Sequence, residues 1–65
     1  MPGKLTIYEN LDVFGRLYGV SHADRIERIK KFLKMFGMWE IRNKETGVLS
    51  AGQMTRIMLA KAFIQ

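Results

Sequence analysis

The segment from Val48 to Arg56, VLSAGQMTR, holds the residue types best suited to chemistry. Ser50 followed three positions later by Gln53, ahead of an apolar run, has the spacing of a capping box and predicts a helix N-terminus. A helix N-terminus also suits an anion. Its first N–H groups lack intrahelical partners, and the helix dipole adds positive charge there. Ser50 offers a hydroxyl at the cap. Gly52 lets a backbone N–H come close to a ligand with no side chain in the way. Gln53 adds a neutral amide able to bond a nucleotide or a neighbouring chain. The segment reads as a helix cap, a phosphate site, or both.

The other polar residues point away from catalysis. Glu9 with Asp12, and Asp24 with Glu27, are carboxylate pairs three residues apart, a spacing that reads as dipole and surface charge. His22 is the one histidine and cannot make a metal site alone. There is no cysteine, which excludes disulfides and thiolate zinc clusters. No catalytic residue and no metal site are expected from this chain.

Three helices are predicted to position these residues. In the first, LTIYENLDVFGRLYG, Thr6 is an N-cap and Glu9 its capping-box partner. Ile7, Leu11, Phe14 and Tyr18 share one face. Gly15 weakens the interior by about 1 kcal/mol, and Gly19 is a natural stop. The second, SHADRIERIKKFLKMFG, is capped by Ser21 with Asp24 at the third helical position, and ends at Gly37. Ile26, Ile29, Leu33 and Phe36 mark its apolar face, with Phe32 beside them. Arg25, Arg28, Lys30, Lys31 and Lys34 fill the rest, a stripe that reads first as a solvated face and otherwise as a contact for acidic partners. A polar connector with one short turn between Trp39 and Asn43 leads to the third helix, which starts at Ser50. Met54, Ile57, Met58, Leu59, Ala60, Ala62, Phe63 and Ile64 make that helix apolar nearly all round, the pattern of a buried one. Two amphipathic helices cannot easily enclose it, so a larger body or a second copy is expected to cover part of it. No strand pattern is convincing, so the fold class is all-α: a small three-helix unit plus a short turn.

Composition narrows the partners. The 65 residues make at most one small domain, and 48% hydrophobic content is that of a globular chain. A net charge of +5 suits an anionic partner: nucleic acid, a membrane surface or a nucleotide. No apolar run reaches the roughly 18 residues of a membrane span. The first residues lack the order of a secretory leader. These features favour the cytoplasm.

LSAGQMTRIMLAKAF resembles the signature motif of the ATP-binding-cassette (ABC) ATPases, usually L-S-G-G-Q-x-x-R followed by an alanine-rich helix. Leu49, Ser50, Gly52, Gln53 and Arg56 match in place, as do Leu59, Ala60 and Ala62 behind them. LTIYENLDVFGRLYG is similar to the L-T-V-x-E-N-L segment that opens the family's helical subdomain. RIKKFLKMFGMWEIRNKETGVLS is similar to its run into the signature. The resemblance implies a helical subdomain over 5–48, the signature motif and following helix over 49–65, and normal insertion in a phosphate-loop α/β core. It further implies that Ser50, Ala51, Gly52 and Gln53 contact the γ-phosphate of ATP held by the opposite ATPase subunit. The implied partners are that second subunit and a transmembrane transporter subunit, with Tyr8, Phe14, Tyr18 and Trp39 as part of a docking patch. The implied location is cytoplasmic and peripheral to the membrane. Two departures stand out. Ala51 replaces the family's usual Gly, which is tolerable only if its φ is not positive. Lys61 replaces the commoner Arg and loses the planar fork.

These 65 residues hold no G-x-x-x-x-G-K-[ST] phosphate loop, no apolar strand ending in Asp-Glu, no glutamine loop and no switch histidine. Gly3-Lys4 has Leu5 where the loop has Ser or Thr. His22 does not correspond to the switch histidine. The expectation is a piece of the ATP-binding subunit of an ABC transporter. ATP and Mg2+ would serve the parent protein, none would be bound by the piece, and the piece alone would hydrolyse nothing and would self-associate. A small basic helical DNA-binding module, or a bundle that works by self-association, is the alternative. The apolar third helix argues against base recognition, which needs polar side chains for base edges, and nucleic acid is not expected as a partner.

Overall fold

The computed structural model describes residues 5–65; Gly3 and Lys4 lie outside the described residues. Three helices, α1 (Ile7–Leu17), α2 (His22–Met35) and α3 (Ala51–Ile64), pack pairwise against one another. Two 3-10 turns, Trp39–Ile41 and Thr46–Val48, lie between α2 and α3. The described residues form no strand beyond one isolated bridge, Thr6 with Glu45. The all-α, three-helix architecture read from the sequence is the one observed, with a second 3-10 turn added.

Local chemistry sets the helix ends. Thr6 Oγ1 accepts from the Glu9 N–H at 3.0 Å, and Glu9 Oε1 accepts from the Thr6 N–H at 2.9 Å. Ser21 Oγ caps α2 by accepting from the Asp24 N–H at 3.3 Å. Gly19 and Gly37 follow α1 and α2 with φ of 75° and 70°, the left-handed conformation that glycine takes without strain. Each closes a Schellman motif: Val20 N–H donates to Gly15 O at 2.9 Å, and Met38 N–H to Leu33 O at 2.7 Å. These bonds satisfy helix-end carbonyls and turn the chain back sharply.

Ile7 and Leu11 of α1, Ile29 and Leu33 of α2, Met38 of the connector, and Ile57, Ala60 and Ile64 of α3 form the core. Burying such side chains contributes about 1.5–3 kcal/mol each for the larger ones. The connector is hooked to the start of α1. Ile7 and Tyr8 donate their N–H groups to Lys44 O and Arg42 O, and Thr46 donates to Leu5 O, all at 3.0 Å. The orphan donors of the first turn of α1 are thereby used up inside the chain.

Two sequence-based expectations are corrected. Tyr18, placed on the inner face of α1, is 59% exposed, because the chain is already turning at that residue as the helix cap. On α2, Ile26 is exposed and Arg25 takes the buried position, 7% exposed. Arg25 therefore does not belong to a solvated basic stripe. Its Nε donates to Asp12 Oδ1 at 2.5 Å and its NH1 to Val20 O at 2.9 Å, and its NH2 lies 3.2 Å from His22 Nδ1. For α3 the expectation of incomplete enclosure is met. Within this chain only Ile57, Ala60 and Ile64 of that helix are buried. Met54, Met58, Leu59 and Phe63 remain exposed, so the helix is not enclosed by its two neighbours.

Candidate functional site

The candidate site is the N-terminus of α3. Ser50, with extended backbone (φ −70°, ψ 164°), is the N-cap. Its hydroxyl accepts from the Gln53 N–H at 3.2 Å, and Gln53 Oε1 accepts from the Ser50 N–H at 2.9 Å. The capping box is thus closed on both sides. Met54 N–H donates to Ser50 O at 3.0 Å, beginning the helical ladder. The first-turn donors left over are the N–H groups of Ala51 and Gly52, for which no partner is found among the described residues.

The helix starts differ in what surrounds these donors. On α1 the equivalent N–H groups bond Lys44 and Arg42 carbonyls, and the first turn carries Glu9. On α2 the first turn carries the carboxylate of Asp24. On α3 it carries no acidic residue. Ser50, Ala51 and Gly52 are exposed and Gln53 is half-buried, so the donors face outward. The local field there is that of bare N–H dipoles, favourable to a phosphate oxygen.

Ala51 and Gly52 both have negative φ, since no non-glycine residue and, of the glycines, only Gly19 and Gly37 take positive values among the described residues. Alanine therefore fits at position 51 without strain. Gly52 needs neither its conformational freedom nor its small size for internal packing: a Cβ built there meets nothing within 4 Å.

The residues expected in a docking patch form two separate pairs. Tyr8 and Trp39 meet edge to face with centroids 6.5 Å apart, and Phe14 and Tyr18 are tilted at 4.6 Å. Lys61 sits with Nζ 5.5 Å from the Phe14 ring centre, and Arg56 is exposed. His22 is exposed at the start of α2, and Glu9 and Asp12 serve a cap and an ion pair. Among the described residues no cluster of three potential metal ligands occurs. Sequence reasoning placed Lys30 and Lys34 in a basic stripe but missed that they and Arg42 gather on Trp39; the signal was the i, i+4 spacing of the two lysines and Arg42 three residues after the indole.

The chain is similar to ATP-binding proteins of ABC transporters. The chain is 38% identical over 61 residues to the ABC transporter ATP-binding protein NatA of Bacillus subtilis, covering 94% of this chain and 25% of that one. The chain corresponds to a segment of the ABC ATPases. It is 34% identical over 59 residues to the Nod factor export ATP-binding protein I of Cupriavidus metallidurans, with 91% of this chain and 20% of that one covered. It is 37% identical over 60 residues to the spermidine/putrescine import ATP-binding protein PotA of Fusobacterium nucleatum, with 92% and 16% covered. The chain therefore spans about a quarter or less of the length of these ABC relatives. No family model and no solved structure matches it. The relatives are ATP-binding proteins of ABC transporters, so ATP use is a property of the family. No helix among the described residues is long and apolar enough to cross a membrane.

Proposed function

We propose that this chain is the helical subdomain and signature segment of an ABC transporter ATP-binding subunit, and that Ser50, Ala51, Gly52 and Gln53 complete the ATP site of the opposite subunit. The observation that carries the reading is Gly52. It has an outward N–H without a partner among the described residues and no internal need to be glycine. A glycine at such a place suits the close approach of an external group. The γ-phosphate supplies that group: its oxygens accept from the Ala51 and Gly52 N–H groups, and the Ser50 hydroxyl and Gln53 amide supply further donors. Mg2+ and the other phosphates are held by the subunit across the interface, because none of these four residues is a cation ligand of the carboxylate type. The subdomain spans 5–48 and the signature with its helix 49–65. It couples nucleotide binding to a transmembrane subunit, in a protein that is cytoplasmic and peripheral to the membrane. Relatives named for Nod factor export and for spermidine/putrescine import match this chain about equally well, at 34% and 37%. Cargo and direction are therefore set outside this segment.

The test is a chimera in which this chain replaces the matching segment of a full-length relative. The chimera is expected to hydrolyse ATP, and Gly52→Asp to lower its turnover about tenfold or more by setting a carboxylate where the phosphate binds. An acidic residue suits the first turn of a helix, so the variant should fold. Undiminished turnover in the folded variant would refute the proposed contact.

A further inference from the structure

The indole of Trp39 gathers three cations. Arg42 Cζ lies 4.0 Å from the ring centre, Lys30 Nζ 5.8 Å and Lys34 Nζ 5.9 Å. Arg42 is further held by donation from NH1 to Trp39 O at 2.9 Å. Lys30 and Lys34 are one turn apart on α2, a like-charge spacing that costs helix stability. Among the described residues none of the three forms an ion pair, while Asp12 and Asp24 are taken by Arg16, Arg25 and Arg28. Cation–π attraction offsets part of the repulsion, and the surplus positive charge remains at the surface.

We infer that this cluster is a docking surface for an acidic segment of a partner protein, with carboxylates spaced one helical turn apart to meet Lys30 and Lys34 and a third group at Arg42. The inference is independent of the proposed ATP contact at α3. Two observations select this occupant. Arg42 is held against the ring and by the Trp39 carbonyl, and Lys30 and Lys34 are set one turn apart by the α2 backbone, so the cluster favours a partner of matching spacing over a fluid lipid surface. A single-stranded nucleic acid would need an open aromatic face for base stacking, and Arg42 lies against the indole at stacking distance.

Trp39 is the chain's single tryptophan, so fluorescence excited selectively in tryptophan, beyond the absorption of Tyr8 and Tyr18, reports on the site. The full 65-residue chain would be titrated with a synthetic helical peptide carrying glutamate pairs at i, i+4, and with a peptide of the same composition in scrambled order. Parallel titrations would use phosphatidylglycerol–phosphatidylcholine vesicles and a single-stranded oligonucleotide. The paired-glutamate peptide is expected to give a saturable change and to bind more tightly than the other three probes. Lys30→Gln with Lys34→Gln should weaken it about tenfold, two exposed charge pairs being lost. Lys31→Gln with Lys44→Gln, which removes the same charge elsewhere, should leave it within about twofold. Equal binding of the scrambled peptide, vesicles or oligonucleotide, equal loss in both double variants, or no saturable signal would overturn the proposal.

Discussion

Gly15 on α1 is the floor on which the Arg25 side chain of α2 lies. A Cβ at Gly15 would stand 2.8 Å from Arg25 Cδ, 2.9 Å from Arg25 Cγ and 3.3 Å from Ile64 Cγ2. The atoms in conflict belong to the middle of a side chain whose head is fixed by three polar partners. Gly15→Ala therefore sets two effects against each other. Helix propensity favours alanine by about 1 kcal/mol, while overpacking of a tight contact costs about 1–3 kcal/mol. The expected result is a net loss of about 1 kcal/mol in chemical denaturation. A variant more stable than the parent would show that Arg25 is free to move aside.

Arg25 is also the ion pair that ties α1 to α2, and Asp12 has a second partner in Arg16 at 3.1 Å. Arg25→Met keeps much of the stem's volume and removes the head, leaving Val20 O without its donor. A loss of about 2 kcal/mol is expected, below the range for a fully buried pair because Asp12 stays partly solvated and retains Arg16. Arg16→Met, at a side chain 65% exposed, should change stability by less than about 0.5 kcal/mol. Denaturation curves of the two variants decide whether burial or mere pairing matters.

How much of this was legible in the sequence follows from the range of each interaction. The caps at Thr6, Ser21 and Ser50, and the stops at Gly19 and Gly37, act over three to five residues, so the order of residue types announces them. The burial of Arg25 was hidden because its cause sits on another helix, in the absent side chain of Gly15 and the carboxylate of Asp12. The outward turn of Ile26 was hidden for the same reason. The hook of the connector onto α1 pairs backbone groups more than thirty residues apart and leaves no side-chain signal, Ile7 to Lys44 being one example. At the candidate site the cap was legible from spacing, whereas the ligand was suggested by resemblance, because a capped helix start does not by itself name the group that meets it.

The exposed side of α3 leads to a prediction about association. Met54, Met58, Leu59 and Phe63 present large apolar surface, and Phe63 stacks on Phe32 with centroids 4.7 Å apart. Apolar surface of this extent on a small chain drives association. Sedimentation of the 65-residue chain is expected to show dimers or larger species at micromolar concentration. Met58→Glu with Leu59→Lys, both at exposed positions and neutral in net charge, should shift it to monomer without loss of helix content. A wild-type chain that sediments as a folded monomer would refute the expectation.

Gly52 allows stability and function to be separated in a single variant. Its backbone is helical and a methyl group there meets nothing within 4 Å. Gly52→Ala should therefore raise the stability of the isolated chain, by about 0.5 kcal/mol from helix propensity and a less flexible unfolded state. For a domain of this size that is a melting shift of roughly 2–4 °C. In the full-length chimera the same methyl group would stand between the Gly52 N–H and an approaching phosphate, so ATP turnover should fall. A packing role for Gly52 predicts the opposite for stability, and an idle position predicts unchanged turnover. Only close approach of an external group yields a chain that melts later and a chimera that works less well.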